Sequence, residues 1–343
     1  MAYNEFAYFY DELNSEADYD ALYRYVTDEL AAHGIRDGIL ADLGCGTGDL
    51  TLMLAQAGYD VIGIDRSEEM LSVLREKADE LDMTGRILLL RQDLLSLDLY
   101  GTIRAAVSTF DTYNHIGPVD QFEKAIRKAA YFMEKDGVFI FDLNTPYKHQ
   151  KILAGETFDI EAEDAECHWT NHFDAATGRV DITIDIDYHE TGEHFKESFS
   201  EYSYPLDLVT SLLEKYGFTV AKVADGEDFG LVRPDSPRWI ITAVKQYTQE
   251  GKRINGTESE HAARHLRERR YCLLRCGFHR DRVRDGAPTQ DQRRHHGRVG
   301  PPADGCLHDG HYAQKHPGFC HPADQGRRPR RSSAGRFRWY RQR

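Results

Sequence analysis

The sequence predicts an α/β protein built on a doubly wound, mostly parallel sheet. Three observations predict it. Short runs rich in Val and Ile alternate with helix-period stretches between about residues 38 and 144. The links between them are short. The first run leads straight into a cluster of glycines, "LADLGCGTGDL" at 40–50, which opens the first crossover helix. Alternation with short links favours right-handed crossovers and a parallel sheet.

Each element has its own signal. Residues 5–14 and 18–33 read as helices. In the second, Leu22, Tyr25, Val26, Leu30 and Ala31 fall near one face, and Gly34 is a stop. "GILADLG" reads as a buried strand and is followed by a helix from Asp49 to Ala57. "DVIGID" (60–65) is the second strand. Ser67 reads as an N-cap, with Glu68 and Glu69 in the first turn of a helix reaching Leu81. "RILLLRQD" (86–93) and "RAAVSTF" (104–110) are the third and fourth strands. Gly117–Pro118 breaks the chain before a helix at 119–134, and "GVFIFDLN" (137–144) is the fifth strand. The period then changes to two. Residues 168–204, with turn signals at 176–178 and 191–192, read as two or three antiparallel strands. A helix at 206–218 and the strands "TVAKVAD" and "RWIITAVKQ" close the body.

Composition divides the 343 residues in two. Residues 1–250 hold 21 Lys+Arg against 48 Asp+Glu; residues 251–343 hold 22 against 9. An acidic body repels phosphate backbones, which argues against nucleic acid as its default partner. No apolar run approaches the roughly 20 residues of a membrane span. The aromatic, acidic start "MAYNEFAYFYDELN" lacks the parts of a signal peptide. The expectation is a cytoplasmic protein. Val, Ile, Leu, Met and Phe number 10 in the last 93 residues, too few to offset the entropy of ordering. Residues 249–343 therefore read as a basic, low-complexity tail, disordered or of the kind that out-of-frame translation of GC-rich DNA produces. Two other readings of it are a basic arm for RNA and a zinc site on Cys272, Cys276, His279, Cys306, His308 and Cys320, which lacks a matching second pair.

The glycine loop carries the chemistry. Gly44, Gly46 and Gly48 can take positive φ and leave no Cβ in a ligand's way, at a helix N-terminus whose N–H groups point outward. In an open α/β sheet that is also where ligands bind. Asp65 ends the second strand, where a carboxylate can accept from both hydroxyls of a ribose. Asp93 ends the third, where one can accept from the amine of adenine. A dinucleotide site expects G-x-G-x-x-G; this loop is G-x-G-x-G, with Asp42 ahead of it and Asp49 behind. Carboxylates beside the loop oppose a pyrophosphate and suit a cation such as a sulfonium.

"LADLGCGTGDLTLMLAQAGYDVIGIDRSEEML" resembles the nucleotide half of class I S-adenosylmethionine-dependent methyltransferases. The E/D-x-G-x-G-x-G motif matches at Asp42, Gly44, Gly46 and Gly48; "GIDRSEEML", "RQDLLSL" and "STFDTYNHI" are similar to the next three motifs. The resemblance covers roughly residues 1–246. The flanking "FAYFYDELN", "FDLNTPYK" and the β-rich segment are similar to a bacterial small-molecule-type subgroup. It implies a seven-stranded, Rossmann-like sheet with one antiparallel edge strand. It also implies a methyltransferase domain over 1–248, with a helical lid at 1–36 and a β-rich insertion at 155–205 over the active site. The implied cofactor is S-adenosylmethionine, held by Tyr10, Asp42, Gly44, Cys45, Gly46, Gly48, Asp65, Arg66, Met70, Asp93, Leu94 and Thr109.

Methyl transfer from a sulfonium needs alignment and exclusion of water, and a base only if the nucleophile must first lose a proton. His115, Tyr113 and Asn114, with Asp111 beside them, are the candidates after the fourth strand; His115 has the pKa range for such a base. Each has a plainer reading as a packing or helix-flanking residue. Tyr8 and Tyr10 could steady a sulfonium or simply pack a helix. No N-P-P-Y and no Pro-Cys follows the fourth strand, which disfavours amino methylation of adenine or glutamine and thiolate-based cytosine methylation. The expected partner is a small-molecule methyl acceptor, through N or O, with no metal and no membrane. The alternatives are a cofactor-binding protein acting on RNA through its tail, and an NAD-dependent oxidoreductase.

Overall fold

The computed structural model describes residues 10–246, apart from 12, 13, 15, 16, 84, 162–164 and 190. Residues 5–9, 12 and 13 of the expected first helix, Tyr8 among them, and the tail from 249, with its cysteines and histidines, lie outside the described residues.

Helix α1 (Tyr19–Ala32) is capped by Asp18, whose side chain accepts from the Ala21 amide. It buries Leu22, Tyr25, Val26 and Leu30. The units that follow are β1 (Ile39–Leu43), α2 (Asp49–Gln56), β2 (Asp60–Asp65), α3 (Glu68–Glu80), β3 (Ile87–Arg91) and β4 (Ile103–Ser108). Ser67 caps α3 as expected, accepting from the Met70 amide at 3.2 Å. Helix α4 (Val119–Phe132) leads into β5 (Met133–Asn144), longer at its start than its sequence signal. A π-helical turn (Lys148–Leu153) leads into the insertion: β6 (Thr157–Glu161), β7 (Ala165–Asp174), β8 (Arg179–Tyr188) and β9 (His194–Tyr202). Helix α5 (Leu206–Lys215), β10 (Phe218–Asp225) and β11 (Arg238–Lys245) complete the chain.

The main sheet has the order β10-β11-β5-β4-β1-β2-β3. Strands β1 to β5 run parallel, and β11 is antiparallel to both neighbours. The sequence places the antiparallel strand at the edge; here it lies one strand in, with β10 outside it. The loop 226–237 folds β11 back between β10 and β5, and the apolar "WIITAV" fills that interior position. Helices α1, α2 and α3 cover one face over Leu40, Val61, Val107 and Ile140. Helices α4 and α5 cover the other over Ala41, Ile64, Phe139 and Ile241.

The insertion is one antiparallel sheet in the order β6-β7-β8-β9. It has one strand more than the period-two signal gives, because β6 is a five-residue edge strand in acid-rich text. Alternate residues Val180, Ile182, Ile184 and Ile186 are buried, and Met70 of α3 and Leu153 of the π-helical turn join that cluster. Helix α1 packs with the body rather than with this sheet.

Candidate functional site

The C-terminal ends of β1, β2, β3 and β4 surround a pocket of about 240 Å³. Its cofactor-side wall holds Gly44, Gly46, Asp65, Met70, Asp93 and Leu94; Tyr10 and Arg66 also line it. Phe110, Asp111, Thr112, His115, Ile116 and Gln121 also line it, with the Thr112 side chain against Gly44.

Each glycine of the loop answers a different demand. All three have positive φ, at +79°, +53° and +88°. A Cβ on Gly44 would stand 2.3 Å from the Thr112 side chain, and one on Gly48 would stand 2.0 Å from Leu74. At Gly46 the nearest atom is 3.9 Å away, on Tyr10. Gly46 therefore opens the backbone to the pocket, while Gly48 lets α2 start against α3. Asp65 locks the loop: Oδ2 accepts from the Gly46 amide at 3.0 Å and Oδ1 from the Ser67 amide at 2.9 Å. Burial pushes its carboxyl above the ordinary range, and those amides pull it part of the way back. Asp93 is exposed, with one oxygen accepting from the Leu95 amide at 2.7 Å.

Asp42, Cys45, Gly48 and Thr109 are not among the residues that line this pocket. Asp42 is 2 % exposed on the central strand and accepts from Thr51 Oγ at 2.5 Å. Burial raises its carboxyl to about 7. It anchors α2 from beneath the loop, because a side chain at 42 points between β1 and α2. Asp49 is bound by Lys77 at 3.0 Å, so the acids flanking the loop are already engaged. Cys45 packs into the apolar layer under α1–α3, and burial drives its thiol well up. Gly48 and Thr109 sit behind the wall; the Thr109 carbonyl accepts from Thr112 Oγ at 3.1 Å.

Tyr113 is 1 % exposed among Phe122, Phe139 and Phe141. Burial raises its hydroxyl far above the usual value, so it is a core residue. Asn114 is fully buried and works as a clasp. Its amide donates to the carbonyls of Tyr202 (2.8 Å) and Asn144 (3.1 Å), and its oxygen accepts from the Asn144 amide (2.8 Å). In the 3-10 turn Thr112–His115 successive side chains point about 120° apart, and only one of the three candidates reaches the pocket. That one is His115, whose Nε2 lies 3.9 Å from Asp111 Oδ1.

Phe110 and Asp111 both have φ near +55°, a conformation costly for non-glycine residues. Asp142 pins it, accepting from the Phe110 amide at 2.8 Å and the Asp111 amide at 2.7 Å. Arg238, from the antiparallel strand β11, donates to Asp142 at 3.0 Å and lies 3.7 Å from Asp111. The sequence reading passed over Asp142 and Arg238. Their only signal is a charged residue at the end of each of two apolar strands, "FIFDLN" and "RWIITAV".

The open loop at Gly46 and the carboxylates ending β2 and β3 form a concave edge with an acceptor at each strand end. These residues fit an adenosyl ligand. Residues 40–137 match the methyltransferase domain family. A putative methyltransferase of Bacillus subtilis (strain 168) is 28 % identical over 255 residues, spanning 72 % of this chain and 99 % of that one. A solved S-adenosylmethionine-dependent methyltransferase from Clostridium acetobutylicum ATCC 824 shares the fold at TM-score 0.65 and 24 % identity, over 71 % of this chain and 99 % of that one. A sugar N-methyltransferase from Streptoalloteichus sp. ATCC 53650 aligns at TM-score 0.57 and 17 % identity, over 71 % and 93 %. Residues 40–137 carry a methyltransferase domain, and the described residues share the fold of S-adenosylmethionine-dependent methyltransferases. The dinucleotide alternative falls with that finding. Among the described residues no helix is long and apolar enough to cross a membrane, and no group of three or more His, Cys, Asp or Glu is arranged to hold a metal.

Proposed function

We propose that this enzyme methylates a nitrogen or oxygen of a polar small molecule in the cytoplasm, and that residues 1–248 form the methyltransferase domain. The observation that carries the reading is the pairing of His115 with Asp111 in the same pocket as Asp65 and Asp93. When bound, S-adenosylmethionine supplies an electrophilic methyl group. Asp65 and Asp93 would accept from its ribose and adenine, and Met70 and Leu94 would flank the base. The bare backbone at Gly46 would let it approach the loop, and Tyr10 would help to hold it. His115 Nε2 is placed to take a proton from an acceptor amine or hydroxyl. Asp111, 3.9 Å away, would orient the imidazole. Gln121 and Thr112 add polar contacts for a hydroxylated acceptor, and the sugar N-methyltransferase among the fold neighbours is consistent with that chemistry.

Calorimetry tests the cofactor half. Asp65→Ala should weaken S-adenosylmethionine binding by about tenfold or more, since it removes a charge-assisted acceptor. Unchanged binding would overturn the ribose role. Incubation of a metabolite extract with methyl-labelled cofactor tests the acceptor half. Label gained on carbon alone would exclude N and O transfer.

A further inference from the structure

We propose that β9 of the insertion positions the pocket floor, with Glu201 and Phe199 as positioning residues for the Asp111–His115 pair. The inference rests on the transferase reading only for what that pair does.

Residues 199 and 201 share one face of β9. The Phe199 ring meets the His115 ring edge-on, with centroids 5.2 Å apart. Glu201, only 4 % exposed, acts through Asn144. Asn144 Nδ2 donates to Glu201 Oε2 at 2.8 Å and to Asp111 Oδ2 at 2.9 Å. One amide nitrogen has two hydrogens, so each carboxylate takes one. Lys148 Nζ donates to Asn144 Oδ1 at 2.9 Å. An ammonium can only donate, which fixes the amide's orientation. His149 Nε2 stands 3.2 Å from the same Glu201 oxygen. Burial alone would raise the Glu201 carboxyl; the His149 hydrogen bond and the nearby His115, His149 and Lys148 charges outweigh it and hold the group below the usual carboxylate range.

The next residues of the return strand continue the contact. The Tyr202 carbonyl accepts from Asn114, and the Tyr204 hydroxyl donates to the Ile116 carbonyl at 2.7 Å. The Tyr202 ring occupies the space a Cβ on Gly117 would need, 2.1 Å away. Thus 199–204 packs against 114–117. A carboxylate buried this deeply is costly unless it is paired. A merely structural strand would fill the place with an apolar side chain. The charged and titratable groups facing the floor are Asp111, Asp142, Lys148, His149, Glu201 and Arg238.

The experiment uses the full chain with isotope-labelled histidine, the His115 ring signals being identified by their loss in His115→Asn. Glu201→Gln should lower the His115 titration midpoint by about half a unit or more, since a negative charge is removed. Phe199→Leu should abolish the ring-current displacement of the His115 signals. Lys196→Ala, on the exposed face of the same strand, should change neither. Should Glu201→Gln fail to fold, Phe199→Leu and Glu201→Asp decide, the latter keeping the charge and hence the midpoint. Unchanged His115 shifts and midpoint in the folded variants would overturn the proposal and leave β9 a structural strand. S-adenosylmethionine calorimetry on the same samples separates the two readings. No binding by the wild type overturns the transferase assignment, whereas the His115 signals report only the positioning.

Discussion

The two sides of the pocket are built in opposite ways. The cofactor side is made of local chain. Gly46 and Asp65 are 19 residues apart, Asp65 and Ser67 two, and Asp93 and Leu95 two. The floor around Asp111 and His115, which we propose faces the acceptor, is assembled from distant chain. Asp142 and Arg238 are 96 residues apart, Asn114 and Tyr202 88, and Asn144 and Glu201 57. The cofactor side is a backbone device, set by φ angles and strand ends. That floor is a buried charge network, set by which strands the fold brings together. Backbone geometry is encoded residue by residue, whereas a network depends on every partner being present at once.

Substitutions should separate the two designs, and the largest effect belongs to the network. Arg238→Ala leaves Asp142 and Asp111 facing each other without their cation; breaking such a buried pair costs about 3–5 kcal/mol. We expect a chemical-denaturation midpoint lowered to match, with the strained turn at 110–111 released. A loss below about 1 kcal/mol would show that the network contributes little and that the two sides do not differ.

On the cofactor side, Gly48→Ala should cost about 2–3 kcal/mol. It combines a left-handed backbone with a Cβ forced into fully buried Leu74. Gly46→Ala, with open space around it, should cost about 1 kcal/mol while weakening S-adenosylmethionine binding more than Gly48→Ala does per unit of stability lost. Equal ratios of binding loss to stability loss would blur the distinction between a ligand-facing and a packing glycine.

A comparable effect, spread over pH, is expected at Asp42. Its carboxyl rises from 3.8 to about 7 on folding. The folded state thus holds a proton that the unfolded state releases. Stability from this group is full below pH 3.8 and falls as pH rises towards 7, then levels off. Asp42→Asn keeps an oxygen for Thr51 and removes the slope. Between pH 5 and 7.5 the wild type should lose about 2 kcal/mol relative to the variant, read from paired urea midpoints. Parallel pH curves would refute a raised Asp42.

How much was legible follows from the same contrast. The alternation of strands and helices, the Ser67 cap and the glycine loop with Asp65 and Asp93 are short-range patterns, and they stand in the structure where the sequence puts them. The consecutive trio Tyr113, Asn114 and His115 was not separable by text. One tight turn sends the first into an aromatic core, the second into a backbone clasp and the third to the pocket. The acids beside the loop have partners the text does not show. Asp42 and Asp49 flank it in sequence, yet Thr51 and Lys77 take them up.

The sequence by itself determined the layered α/β body, the loop and the strand-end carboxylates, because hydrophobic period, helix capping and glycine φ act within a few residues. Only the tertiary structure decided that β11 enters the sheet one strand from its edge. That placement carries Arg238 to Asp142, and the antiparallel insertion carries Glu201 to Asn144. These are choices of partner across more than fifty residues, and no local propensity encodes them.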